Sequence, residues 1–287
     1  MKIRNYLLTV SLVAASVVST YFVTASTTTA QQNAQPARAS ADNEYQVAAV
    51  LYMQKAGEYR ALTYQAFNLA RMRLDADFDK KNLKKLAKAE RKRARAVVVD
   101  IDETVLDNSP QQAYMIKNRL PFDLKTWYAW GEKREAKAIP GAGDFLNYAN
   151  KKGVKVFYIS NRDEVQKQAT IDNLKAVGFP DATAETVMLR QKDSSKEVRR
   201  QAIAANYRVV ILMGDNLDDL SSVFEKKSVN DRFAEVDKAR PLFGGKFIVL
   251  PNAMYGTWEN AIYDYGRLTE AQKAEKRNSS LEAFRLN

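Results

Sequence analysis

Residues 96–106 read AVVVDIDETVL, and the prediction of the fold starts from them. A short apolar, β-branched run that is bounded by charged residues is typical of a buried parallel strand. This run ends in two acidic residues, Asp100 and Asp102, which are two positions apart. Because ligands of open α/β sheets bind beyond the carboxyl ends of the strands, we expect the chemistry of the protein at these carboxylates.

Two later segments repeat the pattern of an apolar run followed by polar residues. The run VKVFYI at 154–159 precedes SNR at 160–162, and the run RVVILM at 208–213 precedes GDNLDD at 214–219. Helical segments separate the runs, so the sequence predicts an α/β fold with a doubly wound parallel sheet of the Rossmann type. The polar residues should then meet at one edge of one sheet.

Two residue types are absent from the chain. Its 287 residues include no cysteine and no histidine. The protein therefore has no disulfide, no thiolate nucleophile, no Ser-His-Asp triad and no histidine-bound zinc. Any nucleophile or metal ligand must be an oxygen atom or a lysine, and oxygen ligands suit hard cations such as Mg²⁺.

The net charge of +11 favours anionic partners, but it does not choose among phosphate esters, nucleic acid and membrane. Nine basic residues, opposed only by Glu90, lie between Lys80 and Arg95. This segment is either a surface that binds an anionic polymer or a solvated helix that leads into the first strand. The solvated helix is the safer interpretation.

The N-terminus has the features of an export signal. Residues 1–30 place two basic residues before an apolar stretch and end in TTA, so they predict a signal peptide. The apolar stretch at 6–25 is also long enough to span a bilayer, which leaves an uncleaved anchor open. Residues 31–43 predict a disordered tether, and residues 44–287 predict one globular domain. We expect an exported protein of the periplasm, the cell envelope or the medium, without a lipidation cysteine.

The globular domain begins with a helical pattern from Glu44 to about Asp77. Leu62, Ala66, Leu69 and Met72 recur at steps of three and four residues. This spacing predicts that they form the face that packs on the domain.

Residues 107–140 interrupt the alternation of strands and helices and are rich in aromatic residues. They predict a small helical, aromatic-rich cap next to the acid pair. Trp127 either stacks on a planar group of the substrate or fills the core of the cap, whereas Trp130 is expected to fill the core. At the end of the chain, residues 267–287 predict a charged helical tail.

The acid pair can carry out phosphoryl transfer. Asp100 can attack phosphorus in line and form an aspartyl-phosphate, and Asp102 can protonate the leaving oxygen and then deprotonate water. Asp100 and Asp215, at the ends of neighbouring strands, can hold Mg²⁺. If Asp102 is the acid, activity should fall at high pH as it loses its proton.

Other polar residues could bind the phosphoryl oxygens. Ser160 and the next residue, Asn161, are candidates, as is Lys196 at the start of a predicted helix. Lys192 competes with Lys196 for this role because it lies nearer to the preceding strand. Arg162 could stabilise its loop by pairing with an acid.

The segments DIDETVLDNSP at 100–110 and GDNLDDL at 214–220 resemble the two signatures of the class C acid phosphatases, specifically the lipoprotein e type of 5'-nucleotidase. That family belongs to the haloacid dehalogenase-like (HAD) phosphatases, so the resemblance implies an HAD-like fold. The similarity runs over about residues 44–265. Two departures are the missing lipidation cysteine and Leu220, which stands where the second signature usually has Phe.

The resemblance implies a role for each matching acid. Asp100 would be the nucleophile and Asp102 the acid and base. The metal would be Mg²⁺, held by Asp100, the carbonyl oxygen of Asp102 and Asp215. Asp219 would support the site, although it too could merely pair within its loop.

The resemblance also implies that Trp127 and Tyr255 stack on the base or nicotinamide of a nucleotide. We therefore expect a Mg²⁺-dependent acid phosphatase that acts on a small phosphate ester, a 5'-nucleotide or nicotinamide mononucleotide. No specific nucleic acid partner is expected, and the sequence leaves envelope association and a homodimer open. Two alternative functions are a receiver-type phospho-acceptor domain and a non-enzymatic, basic, surface-binding protein.

Overall fold

The structure, a computed structural model, describes residues 43–286. The predicted signal peptide at 1–30 and all of the predicted tether except its last residue lie outside the described residues. Within the described range, no helix has the length and apolar character needed to cross a membrane.

A five-stranded parallel sheet forms the centre of the fold, in the order β5-β4-β1-β6-β7. Its strands are β1 (Arg95–Val99), β4 (Lys155–Asp163), β5 (Val187–Arg190), β6 (Arg208–Gly214) and β7 (Phe247–Val249). Val99, at the end of β1, pairs with Tyr158 on one side and with Met213 on the other. The carboxyl ends of the three central strands therefore lie at the same edge, which confirms the predicted α/β class and parallel sheet.

Helices surround the sheet, and most connections between its strands contain at least one. The helices that precede β1 are α1 (Val47–Lys55), α2 (Gly57–Phe78), α3 (Lys80–Lys84) and α4 (Lys88–Lys92). Those between β1 and β6 are α5 (Ser109–Lys117), α6 (Leu124–Lys133), α7 (Ala142–Lys151), α8 (Lys167–Ala176) and α9 (Glu197–Asn206). The last three are α10 (Val229–Ala239), α11 (Thr257–Ile262) and α12 (Glu270–Ser279).

Both faces of the sheet are buried. Alternate side chains of a strand point to opposite faces, and in β1 Val97 and Val99 join one apolar cluster while Ala96 and Val98 join another. Each cluster is covered by helices or loops. A strand that is buried on both faces reads as a continuous apolar run, which is why the sequence located β1 correctly.

The predicted packing face of the second helix was partly right, because Ala66 is buried and Leu69 packs against the main apolar cluster. Leu62 and Met72 are 40% and 67% exposed. The buried side chains of α2 are Tyr59, Thr63, Ala66, Phe67, Ala70 and Leu74. This face includes alanines and a threonine, whose small side chains allow the helix to lie close to its neighbours, and it leaves Leu62 and Met72 outside.

Other boundaries differ in detail from the prediction. The first helical region is divided at Ala56, which has extended backbone angles between α1 and α2. The basic segment Lys80–Arg95 forms two short helices and the first residue of β1. The C-terminal tail is helical only in α12, and residues 280–286 have no regular structure.

The segment after β1 forms two helices between a pair of short strands. β2 (Leu106–Asp107) pairs in antiparallel fashion with β3 (Lys137–Ala138), and α5 and α6 lie between them in sequence. This segment carries the aromatic residues that the sequence analysis assigned to a cap. The strand pair fixes both ends of the segment next to the carboxyl end of β1.

Candidate active site

Asp100 follows directly after β1, and its carboxylate is buried. Its backbone N–H donates to the carbonyl of Met213 on β6, at 2.9 Å. The chain then turns sharply at Glu103, whose φ of 59° lies in the left-handed region. The carboxylate of Glu103 stabilises this turn because Oε1 accepts a hydrogen bond from the backbone N–H of Asn108, at 2.7 Å.

Asp100, Asp215 and Asp219 form a cluster of carboxylates. One oxygen of each lies within 4.8 Å of the others. Thr104, which is fully buried, connects the first two, because its hydroxyl lies 3.1 Å from Oδ1 of Asp215 and 3.3 Å from Oδ2 of Asp100. The backbone N–H of Asp215 donates to the same hydroxyl oxygen at 3.0 Å. The loop after β1 and the end of β6 are therefore tied together at the acids.

The position of Asp219 depends on a glycine. A Cβ atom at Gly214 would lie 2.3 Å from Cβ of Asp219, so only glycine allows this close approach. Asp219 is further fixed by the backbone N–H of Asn216, which donates to its Oδ2 at 3.0 Å. The sequence GDN at 214–216 thus has a steric reason as well as a chemical one.

Lys196 is the cation of the cluster, and Lys192 is not part of it. Lys196 is 6% exposed, its Nζ donates to Asp100, and it lies 2.6 Å from Oδ1 of Asp219. These two carboxylates outweigh burial and raise the pKa of Lys196, so it stays positively charged. Lys192 is exposed. Of the two candidate lysines, the structure brings Lys196 to the acids.

The acids carry more negative charge than Lys196 can offset. Burial raises the pKa of Asp215 to about 7, and the charge of Asp219 contributes to the increase. Burial also raises the pKa of Asp100 well above its ordinary value, with further increases from Asp219 and Asp215. Buried carboxylate oxygens close to one another, with incomplete charge compensation, fit a hard divalent cation. Asp100 and Asp215 are the residues best placed to hold it. Both carboxylate oxygens of Asp219 are already used, Oδ1 by Lys196 and Oδ2 by the backbone N–H of Asn216, whereas Lys196 uses one oxygen of Asp100.

Asp102 is in a different environment from Asp100. Its carboxylate accepts hydrogen bonds from the hydroxyl of Ser160 at 2.8 Å, from Nε of Arg162 at 2.9 Å and from the side-chain amide of Asn108 at 2.9 Å. It also forms an ion pair with Nη2 of Arg162 at 2.8 Å. Burial alone would raise the pKa of Asp102. The charge of Arg162 and the hydrogen bonds from Arg162 and Ser160 outweigh burial and lower it.

This environment does not agree with the expectation that Asp102 loses a proton at high pH. Because Arg162 favours the charged form, Asp102 is already ionised at neutral and weakly acidic pH. Arg162 does pair with an acid, as the sequence analysis suggested, but that acid is Asp102 itself.

Ser160 and Asn161 lie at the end of β4, and their side chains differ in direction. Ser160 is fully buried, and its hydroxyl donates to Asp102 and accepts from the backbone N–H of Arg162 at 3.0 Å. Asn161 is exposed at the pocket, where its Oδ1 accepts from Arg199 at 2.7 Å. Asn161 therefore faces the region in which a phosphoryl group would lie, and Ser160 supports Asp102.

A cavity of about 480 Å³ opens above the acids. Its walls include the rings of Trp127 and Phe122 on the α6 side and of Tyr255 on the opposite loop. The two rings on the α6 side are tilted against each other, with centroids 6.4 Å apart. Arg162 lies 5.3 Å from the Trp127 ring and so connects this wall to Asp102. The volume is in the range of small-molecule sites.

Trp130 is partly buried and packs on the main core of the domain, whereas the sequence predicted that it fills the core of the cap. Its ring packs against the main apolar cluster, and its indole N–H donates to Oδ1 of Asn108 at 2.8 Å. Asn108 in turn donates to Asp102. The α6 helix therefore helps to orient the carboxylate of Asp102.

Sequence reasoning missed Asn108 and Asn252 and treated Thr104 only as part of a motif. Asn108 lies just before α5, where an asparagine usually caps a helix, but its side chain makes no cap hydrogen bond. The Asn252 amide donates to Oδ2 of Asp215 at 2.8 Å, and its oxygen accepts from the backbone N–H of Met254. In the sequence, Asn252 is marked only by its position shortly after the run that forms β7.

Comparison with known proteins agrees with this arrangement. A family model described as "HAD superfamily, subfamily IIIB (Acid phosphatase)" matches residues 9–258. The class C acid phosphatase of Bacillus anthracis is 42% identical, with a TM-score of 0.78, and the match covers 85% of this chain and 99% of that one. A second structure of that class C phosphatase, with tungstate bound, gives the same values.

A plant relative matches over a shorter region. Acid phosphatase 1 of Solanum lycopersicum is 30% identical over 131 residues, which are 43% of this chain and 51% of that protein. The chain thus spans about half the length of this curated relative. The family match is much longer and includes the ends of β1, β4 and β6 that carry the acid cluster. The chain therefore belongs to subfamily IIIB of the HAD superfamily, the acid phosphatases, a family of phosphoric monoester hydrolases.

Proposed function

We propose that the protein hydrolyses phosphate monoesters through an aspartyl-phosphate on Asp100. An oxygen of Asp100 attacks phosphorus, the bond from phosphorus to the ester oxygen breaks, and the alcohol leaves with a proton. Water then attacks the same phosphorus and loses a proton, and the bond from phosphorus to the Asp100 oxygen breaks, which releases inorganic phosphate and restores the carboxylate. The observation that carries the proposal is the convergence of Asp100, Asp215 and Lys196 from three elements at the base of one pocket.

Asp102 is proposed to move the protons. It lies two residues from the nucleophile and is ionised in the free protein, so it is ready to accept a proton from the attacking water. In the first step the leaving oxygen needs a proton. A phosphate monoester has a pKa of about 6 and carries a proton below that pH, so it can supply one through Asp102. This route favours activity at acidic pH.

We propose Mg²⁺ as the metal, held by Asp100 and Asp215, with the carbonyl oxygen of Asp102 as the third protein ligand that the resemblance implies. When bound, it would neutralise charge on the phosphoryl group and on the buried acids. Lys196 would contribute positive charge from the other side, and Asn161 can donate its amide hydrogens to phosphoryl oxygens. The tungstate in the Bacillus anthracis relative supports an oxyanion site here, because tungstate is a tetrahedral oxyanion like phosphate.

The proposed substrates are 5'-nucleotides and nicotinamide mononucleotide. Trp127 and Tyr255 line the pocket above the acids and can stack on a planar ring, which contributes about 1–3 kcal/mol per base. Family membership favours this function over a receiver domain or a non-enzymatic binding protein. Export to the periplasm, the cell envelope or the medium is proposed from the sequence of residues 1–30.

A panel of phosphate esters tests the proposed function, on the protein that lacks residues 1–30. Phosphate release should require Mg²⁺ and should stop on addition of a chelator. Asp100→Asn should reduce kcat at least about a thousandfold, because the nucleophile is lost. Asp237→Asn is the matched control, since Asp237 is exposed on α10 and outside the pocket. Phosphate release that survives both Asp100→Asn and the chelator would refute the proposal.

A further inference from the structure

The start of the described chain crosses the mouth of the pocket. The side-chain amide of Asn43 donates to the carbonyl of Leu120, at 2.7 Å, just before Phe122. The amide of Gln46 donates to the carbonyl of Met254, at 3.0 Å, just before Tyr255. The segment 43–46 is therefore fixed to both aromatic walls of the cavity and not to the acid cluster.

Tyr45 is the centre of this segment, and two C-terminal helices hold it. The guanidinium of Arg277, on α12, lies 3.7 Å from the centre of the Tyr45 ring. Glu259, on α11, is 9% exposed and hydrogen-bonds with Tyr45. Tyr263 donates to the same carboxylate at 2.6 Å and accepts from Arg277 at 2.8 Å. Tyr45 is thus placed by a network that none of the proposed catalytic steps uses.

We call the pocket-lining residues of this region the outer wall; they are Asn43, Tyr45, Gln46, Glu259, Glu270 and Lys273. The amide nitrogens of Asn43 and Gln46 each give one hydrogen to the bonds described above, and the same side chains carry carbonyl oxygens that can accept from a ligand. Glu259 and Glu270 offer carboxylate oxygens. The cation Lys273 is paired with Glu270 at 2.9 Å. The outer wall is therefore rich in acceptors, and its two carboxylates and one lysine give it a net negative charge.

We propose that the outer wall is a specificity site for the part of the substrate that is remote from the phosphate. It accepts hydrogen bonds from amino, amide or hydroxyl groups of the leaving group, and it disfavours an anionic group at that end. This inference rests on the proposed function and deepens it. A substrate group that brings a negative charge to this wall is repelled by the net negative charge of the wall, which lowers the affinity. Polar pockets discriminate between similar substrates in this way.

The test compares two nucleotides of similar size. Cytidine 5'-monophosphate carries an amino group on its base, and orotidine 5'-monophosphate carries a carboxylate. For each, kcat/KM is measured with Mg²⁺ and divided by the value for phenyl phosphate, whose ring carries no amino, amide or hydroxyl group and no charge. The protein should prefer the cytidine compound about tenfold, through KM.

Two charge-reversing substitutions in α12 test whether the charge of Glu270 contributes to this preference. Glu270→Lys should reduce this preference about fivefold, because a cation replaces an acceptor at a partly exposed site. Glu275→Lys makes the same charge change on α12, at an exposed position outside the pocket, and should leave the preference unchanged. Glu270→Gln is the second variant if the lysine disturbs the helix, and its effect should have the same sign and a smaller size.

Binding measurements separate this inference from the proposed function. The ratio of the two nucleotide Kd values, measured by calorimetry with Mg²⁺ on Asp100→Asn, should change with Glu270→Lys even if no phosphate is released by any variant. Absence of turnover with this binding pattern would refute only the proposed function. Equal affinity for the two nucleotides, or equal effects of Glu270→Lys and Glu275→Lys, would overturn the specificity site.

Discussion

Asp77 joins three elements of the fold, and its replacement by Asn should destabilise the protein in a way that depends on pH. The residue lies near the end of α2. It pairs with Arg208, at the start of β6, through two contacts of 2.6 Å, and with Arg95, at the start of β1, through one contact of 2.6 Å. These side chains are only 11–16% exposed, so solvent screens the pairs weakly.

The expected loss for Asp77→Asn is about 2–3 kcal/mol at pH 7. A hydrogen bond to a charged group contributes about 1.5–3 kcal/mol, and loss of the carboxylate leaves two arginines without their counter-charge. The amide can still form a weaker bond with one of them, which limits the loss. Asp75→Asn is the matched control, because Asp75 is on the same helix but is 46% exposed and 3.7 Å from Lys152. It should cost less than about 1 kcal/mol.

The direction of the pH effect follows from the pKa of Asp77. Burial would raise this pKa, but hydrogen bonds from Arg208 and Arg95 outweigh burial and lower it below 3.8. A carboxylate with a lowered folded-state pKa stabilises the protein above its unfolded-state pKa, and this stabilisation is lost as the pH falls through the folded-state value. The difference between the parent protein and Asp77→Asn should therefore be constant from pH 7 to about pH 5 and shrink below about pH 4.

Urea unfolding followed by circular dichroism, in steps from pH 7 towards pH 3, measures these differences. Equal losses for Asp77→Asn and Asp75→Asn at pH 7 would refute the assignment of Asp77 as the junction. A loss that persists undiminished at the acid end would refute the electrostatic explanation.

Three further substitutions test the site and its support. Gly214→Ala should destabilise the protein by about 2–4 kcal/mol and reduce phosphatase activity, because the new methyl group meets Cβ of Asp219 at 2.3 Å; unchanged unfolding and activity would contradict this contact. Asn252→Leu should raise the Mg²⁺ concentration needed for half-maximal activity about 10–100-fold, since the amide orients Asp215, and an unchanged Mg²⁺ titration would count against that role. Tyr59→Phe should raise the free energy of unfolding by about 1 kcal/mol, because the buried hydroxyl of Tyr59 has no hydrogen-bond partner in the described structure; a decrease would mean that water in the adjacent cavity binds it.

The sequence predicted the sheet well because both faces of its central strands are buried. Continuous apolar runs marked β1, β4 and β6, and the polar residues at their ends identified the edge that carries the acids. The same reasoning was only partly right for α2. Ala66 and Leu69 pack on the core as predicted. Leu62 and Met72 are exposed, because the buried face of the helix also uses small residues such as Ala70, which a stripe of large apolar residues does not reveal.

Within the site, the sequence predicted which acids meet but not how each is held. Asp100 and Asp102 look equivalent in a motif, yet one faces Lys196 and two carboxylates while the other faces Arg162. The choice of Lys196 over Lys192 depends on the path of the loop after β5, which periodicity does not describe. The environments of the two acids and the choice of lysine depend on contacts between residues that are far apart in sequence.

The most direct test of the central claim is detection of the phosphorylated intermediate on Asp100. The protein is mixed with a nucleotide monophosphate and Mg²⁺, quenched in acid within the first turnovers, digested and examined by mass spectrometry. We predict a phosphate adduct on the peptide that contains Asp100, which is absent without substrate and absent from Asp100→Asn. Steady hydrolysis with no adduct on that peptide, together with retained turnover by Asp100→Asn, would contradict the assignment of Asp100 as the nucleophile.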